Sequence, residues 1–218
     1  SDAQFGATRG FGRVEMAYYQ MAKAAGITMM ESRLIEENDR AHFMTKRFDR
    51  FGNDGKYHVQ TFCAMQHFDF NEVNSFSYEQ LFQTMRGLRL PYPEAEELFR
   101  RMVFNVLARN CDDHTKNFAF RLKRDGLWEL APAYDVCHAY RPESRWVSQH
   151  ALSVNGKRKG INKEDFLAVA KAMNIKKGPQ IITEVNEAVK NWLDFANNVG
   201  VGKKLKTAIG KTLIHIND

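Results

Sequence analysis

The sequence predicts an α+β fold in two unequal parts, a short strand-bearing part over residues 1–52 and a mainly helical part over residues 53–218. Three observations predict it. Strand-like runs are short and fall in two groups, 27–49 and 118–130. Apolar residues recur at helical spacing over much of the rest, most clearly after residue 76. Between the two parts stands Gly52-Asn53-Asp54-Gly55, a strong turn and the best place for a boundary. With 218 residues, 44% of them hydrophobic, the chain can bury a substantial core.

Residues 1–10 are rich in small residues and are expected to be loose. From Gly12 to Ala25 the pattern is helical, with Val14, Met16, Tyr18, Met21, Ala22 and Ala25 apolar and Gly26 as the stop. Glu15 lies in the first turn, where the helix dipole favours a carboxylate. Residues 27–36 and 41–49 read as strands around an Asn38-Asp39 turn, with Phe43 and Phe48 as candidate core aromatics. Residues 57–75 show no clear pattern. Ser77 with Gln80 forms a capping box that opens a helix ending near Gly87. A long helix follows from Pro93 to Ala108, with Pro in its first turn and Glu94, Glu96 and Glu97 near its positive end. Phe118–Leu122 and Leu127–Leu130 form a hairpin about Asp125-Gly126. Residues 138–160 read as a basic loop carrying Arg141, Arg145, Lys157, Arg158 and Lys159, which is equally a solvated surface. Asn162 caps a helix to Met173, and further helices are expected over 179–198 and 203–214.

Lys and Arg exceed Asp and Glu by 32 − 26 = 6. That balance suits acidic partners such as nucleotides or nucleic acid, and equally a mildly basic surface. No Lys/Arg run supports direct DNA reading. Cys63, Cys111 and Cys137 are dispersed and form no Cys-x₂-Cys pair, which fits a reducing, cytoplasmic setting. There is no run of ~18 apolar residues and no signal-peptide pattern, so no membrane partner is expected.

The chemistry concentrates in Arg109-Asn110-Cys111-Asp112-Asp113-His114-Thr115-Lys116-Asn117-Phe118. Phosphoryl transfer to a hydroxyl needs a carboxylate to accept the proton, and a carboxamide with a second carboxylate to hold Mg²⁺ on the phosphates. Kinase catalytic loops place that Asp and Asn five residues apart, with the metal-binding Asp on a later strand end. Asp112 and Asn117 have this spacing, and Asp135 follows the hairpin. On this reading Asp112 is the base, Asn117 and Asp135 hold Mg²⁺, His114 orients Asp112 or touches the γ-phosphate of ATP, and Lys116 supplies positive charge. Asp113 is the rival base, one residue short of the spacing. Two other readings stay open: a polar loop with an Asx turn, and a metal site of Cys111, Asp112 and His114 that lacks paired zinc-ligand spacing.

Asp112-Asp113-His114-Thr115-Lys116-Asn117-Phe118, followed by Leu130-Ala131-Pro132-Ala133-Tyr134-Asp135-Val136, resembles the C-terminal kinase region of HipA-type toxins, whose pattern is D-x-H-x-K-N-F and then L-x-P-x-Y-D. Lys46-Arg47-Phe48-Asp49-Arg50 is similar to the family's E-R-F-D-R hinge, with Lys46 where Glu is usual, and Leu152-Ser153-Val154-Asn155-Gly156 to its later strand and turn. The resemblance implies a two-lobed protein-kinase-like fold with a truncated small lobe and a mainly α-helical large lobe. It implies an ATP- and Mg²⁺-dependent serine/threonine kinase, with an aminoacyl-tRNA synthetase as protein substrate and a small DNA-binding antitoxin as partner, DNA being met only through the antitoxin. It implies that Glu15 pairs with the ATP-binding lysine and that Arg47 and Phe48 lie at the adenine-contacting hinge.

One departure stands out. The family carries a Gly/Ser-rich phosphate loop and that lysine upstream of the Glu15 helix. Residues 1–14 here hold Gly6, Gly10 and Gly12 but no Lys, and the first lysine is Lys23. The chain is therefore expected to be either a piece of a longer kinase or a pseudokinase that acts by binding a partner, and in both cases to bind ATP weakly. A small-molecule or lipid kinase is the further alternative, since phosphoinositide kinases share the Asp-x-His-x-x-Asn loop.

Overall fold

The computed structural model describes residues 10–38, 40–69, 71–72 and 75–216. The loose segment expected at the start, with Gly6, and the Asp39 half of the first turn lie outside the described residues.

Helix α1 (Phe11–Ala24) buries Val14, Ala17, Tyr18, Met21 and Ala22. It stops where the pattern predicts: Gly26 takes φ +81°, and the Ile27 N–H returns to the Ala22 carbonyl at 3.0 Å. Strands β1 (Ser32–Glu37) and β2 (Arg40–Thr45) form an antiparallel hairpin that packs on α1. Contact is so close at Gly12 that a Cβ there would lie 2.1 Å from the Ala41 carbonyl oxygen. Both strands are shorter than the apolar pattern suggests. Residues before Ser32 turn aside to pair Met29 with Ala133, and residues 46–49 leave the sheet as the link to β3 (Arg50–Phe51) and β4 (Gly55–Lys56).

The unpatterned stretch after residue 56 contains β5 (His58–Thr61) and α2 (Phe62–Met65). Strand β5 pairs with β6 (Ala119–Leu122), which pairs with β7 (Trp128–Leu130), giving an antiparallel three-stranded sheet. Between α2 and β6 come α3 (Tyr78–Gly87), with both halves of the Ser77–Gln80 capping box formed, and α4 (Tyr92–Leu107). Helix α4 is the central element. From Met102 to Leu107 every residue is buried, so water is excluded on all sides of its last turns.

Helix α5 (Lys163–Met173) is capped by Asn162, with Asp165 completing the box. The single helix expected over 179–198 is two, α6 (Gly178–Lys190) and α7 (Trp192–Asn198). The break falls at Asn191, whose N–H returns to Ala188 and whose side-chain amide donates to the Glu187 carbonyl. This redirection drives Trp192 into the core, edge-on to Tyr18 at 5.3 Å. Helix α8 (Lys203–Gly210) ends earlier than residue 214 because Gly210 lies against the Trp192 ring and the Ile214 N–H is drawn to the Leu107 carbonyl. No helix among the described residues is long and apolar enough to cross a membrane.

Candidate active site

Helix α4 delivers the chain into the polar loop. Arg109 turns it with φ +58°, and residues 109–111 then run beside Ala139, with Ala139 N–H to Arg109 O at 3.0 Å and Cys111 N–H to Ala139 O at 3.1 Å. The two adjacent carboxylates that follow point to opposite environments. Asp113 is buried and accepts from the Tyr78 hydroxyl at 2.8 Å and the Ala151 N–H at 2.8 Å, with His150 Nδ1 at 3.0 Å. The Asp112 side chain is 50% exposed, with His114 Nε2 3.8 Å from its Oδ1. Asp113 is thus enclosed, and of the two only Asp112 opens to solvent. Cys111 is buried with its Sγ toward His150, and no trio of His, Cys, Asp or Glu among the described residues could hold a metal, which removes the Cys111–Asp112–His114 alternative.

The loop closes on itself at Asn117. Its N–H reaches His114 O, and its side-chain Nδ2 donates to the Asp112 carbonyl at 2.8 Å. That bond fixes which way the carboxamide is turned and leaves Oδ1, a hard oxygen, as the outward donor. Strand β5 and α2 back the loop, with Phe62 N–H to Phe118 O at 2.7 Å and Cys63 N–H to Thr115 O at 3.1 Å.

The hairpin β6–β7 returns the chain to this loop. Helix α4 holds the returning segment: Glu94 accepts the Leu130 N–H at 2.6 Å, and Arg101, itself paired to Glu97, donates to the Ala131 carbonyl at 2.9 Å. Asp135 then adopts φ +55°, a left-handed conformation that Asp tolerates better than most residues. Asn117, Asp113, Tyr134 and Asp135 line one narrow crevice. The Tyr134 hydroxyl donates to the Lys116 carbonyl at 2.6 Å, and the Tyr134 ring stacks on Phe48 at 5.2 Å. Phe48, Lys116 and the Asp135 segment are therefore tied together, while the Lys116 side chain is exposed.

Carboxylates crowd together here, partly offset by His114 and Lys116. Burial raises the Asp112 carboxyl above its ordinary range; His114 and Lys116 oppose this, and the charges of Asp135 and Asp113 add to it. Burial and then the charge of Asp135 raise the Glu15 carboxyl as well. So α1 brings Glu15 to the same field, and no ion pair to Glu15 forms among the described residues. Such a cluster is relieved by cations, and an exposed carboxylate beside an oriented amide oxygen is a donor set that suits Mg²⁺. Arg47 does not join the cluster. Its guanidinium forks onto Asp49, at 2.8 and 2.6 Å, and stiffens the link that carries Phe48.

The residues least visible in the sequence are those beneath the loop. Tyr78, Asn105 and His150 come from α3, α4 and the basic segment, and no local spacing marks them as partners of Asp113. The β5–β6 pairing is equally remote, and His58–Thr61, with Val59 as its one apolar residue, carries no alternation to mark the strand.

A family model described as the HipA-like C-terminal domain matches residues 3–193. A Haemophilus influenzae protein named "Putative kinase" is 24% identical over 205 residues, covering 88% of this chain and 56% of its own length. Among solved structures, HipA of Shewanella oneidensis, in complex with HipB and operator DNA, superposes with a TM-score of 0.72 at 16% identity, over 92% of this chain and 53% of that one. The Helicobacter pylori proinflammatory kinase CtkA superposes with a TM-score of 0.55 at 15% identity, over 95% of this chain and 88% of that one. The fold is kinase-like α+β, and the chain spans about half the length of the Haemophilus and Shewanella proteins.

Proposed function

The chain belongs to the family of HipA-like C-terminal domains, and from that premise we propose that it is the catalytic part of a serine/threonine kinase of a toxin–antitoxin system, transferring the γ-phosphoryl group of ATP to a protein hydroxyl. The observation that carries the reading is the convergence of Asp112, Asn117 and Asp135, joined by the Asn117–Asp112 and Tyr134–Lys116 hydrogen bonds.

In this mechanism Asp112 accepts the proton of the attacking hydroxyl. Its raised carboxyl suits a proton acceptor, although positioning and charge neutralisation carry most of the rate in phosphoryl transfer. Asn117 Oδ1 and the Asp135 carboxylate would hold Mg²⁺, which when bound neutralises charge on the phosphate oxygens. His114 orients Asp112, and Lys116 adds positive charge at the rim. Phe48, stacked on Tyr134, would offer an aromatic wall to adenine. Glu15 would receive the lysine that lies upstream in the family. The division near Gly52 separates the lower part of a small lobe with its hinge from the helical catalytic lobe. By analogy with the Shewanella complex, a HipB-like antitoxin is the proposed partner, with DNA met through it. A cytoplasmic aminoacyl-tRNA synthetase is the substrate that the family resemblance supports.

The test is Asp112→Ala, assayed with γ-labelled ATP and the protein fraction of the source cell. Turnover should fall by about 10²–10⁴-fold, the usual worth of a positioned general base, with ATP affinity within about threefold. Full activity in this variant would refute the assignment.

A further inference from the structure

The proposed mechanism gives the Asp113 carboxylate no chemical step, yet it is the most enclosed polar group of the loop. Its side chain is 0% exposed and that of His150 2%. Oδ2 meets the Tyr78 hydroxyl at 2.8 Å and His150 Nδ1 at 3.0 Å, and Oδ1 meets the Ala151 N–H at 2.8 Å. Behind Tyr78 the contacts continue, with Asn105 Nδ2 to the Tyr78 hydroxyl at 3.0 Å and Asn110 Nδ2 to Asn105 Oδ1 at 3.1 Å. On its other side, His150 Nε2 lies 3.7 Å from Cys111 Sγ. Asn110, Cys111 and Asp113 are thus all bound from below, and Asp112 is held among them.

A buried ion pair is seldom the most stabilising way to fill such a space, since apolar side chains of equal volume do as well or better. What it provides is one fixed geometry. The geometry has a route outward: the Asp112 carbonyl, next to Asp113, is the acceptor that orients the Asn117 carboxamide. We propose that Asp113 and His150 are positioning residues, a buried clamp that sets the backbone at 111–113 and through it the direction of Asp112 and of the Asn117 amide oxygen. This rests on the kinase reading of Asn117 and Asp135. The same clamp ties the loop to the basic segment, because Arg158 donates to the carbonyls of His150, Ala151 and Phe76.

The experiment is calorimetric titration of ATP, with and without Mg²⁺, into the chain and its variants, each first checked for wild-type circular dichroism. Mg²⁺ should tighten binding to the wild type, and Asp135→Asn should abolish that gain. His150→Leu, which fills the space without a donor, should cut the gain at least fivefold while Mg²⁺-free affinity stays within twofold. His150→Asn, which can place an N–H where Nδ1 lies, should keep more than half of it. A folded His150→Leu protein with the full gain would overturn the clamp, provided Asp135→Asn has lost it. A gain that survives Asp135→Asn, or is missing from the wild type, would instead overturn the metal-site reading on which the clamp rests. If His150→Leu fails to fold, Tyr78→Phe removes a single oxygen and is judged by the same criterion.

Discussion

Asp112 and Asp113 are neighbours in sequence with opposite fates, and the difference is made by residues 35 to 38 positions away. Asp113 collects Tyr78, His150 and the Ala151 N–H, whereas Asp112 keeps an open side chain. Spacing to Asn117 already favoured Asp112 as the base; nothing local could announce that Asp113 would be enclosed. The pair has a pH signature. Burial works against the His150 imidazolium, but the charge and hydrogen bond of Asp113, with Cys111 beside the ring, push it up to about 10. A group raised in the folded state stabilises fully below its unfolded value, about 6.5 for His, and loses that contribution as pH rises toward 10. Urea unfolding should therefore show stability falling between pH 7 and 10 in the wild type, and a flatter profile in His150→Leu. Parallel profiles would mean that His150 is neutral in the fold.

At the scale of elements, the helices were the legible part, because their ends are written in local chemistry. Ser77 with Gln80 forms the capping box its spacing predicts, and Asn162 caps α5 as expected, with Asp165 completing a second box. Replacing Asn162 by Ala should cost about 1 kcal/mol, read as a lower midpoint in urea; no change would mean that α5 is held by packing alone. What was not legible depends on distant partners. The split at Asn191 follows from burying Trp192 against Tyr18, and the short first strands follow from Met29 turning to Ala133. Gly12 is a further case. It reads as an ordinary residue at a helix start, yet it is where β2 meets α1. Gly12→Ala should destabilise by about 1–3 kcal/mol through overpacking against backbone, with a melting temperature several degrees lower. An unchanged melting temperature would show that the hairpin is free to shift off the helix.

For the molecule as a whole, the fold class and the order of the site motifs were visible in the sequence, since both rest on residue types at short spacing. The joining of those motifs was only partly visible. The hairpin predicts the return of Asp135, but its placement depends on Glu94 and Arg101 of α4 and on the bridge to residues 28 and 29, contacts between residues far apart in the chain. Glu94 and Glu97 read in the sequence as residues that suit a helix dipole; in the fold both also hold neighbouring segments, Glu97 through the Thr28 N–H and Arg101. The proposed metal site rests on the crevice that Asn117 and Asp135 share. The most direct test is a crystal structure of the chain with Mn²⁺ and a non-hydrolysable ATP analogue, the metal located by its anomalous signal. The account predicts one ion bound by Asn117 Oδ1 and the Asp135 carboxylate, bridging phosphate oxygens, with adenine toward Phe48. A metal–nucleotide complex seated elsewhere, with neither side chain coordinating, would contradict it.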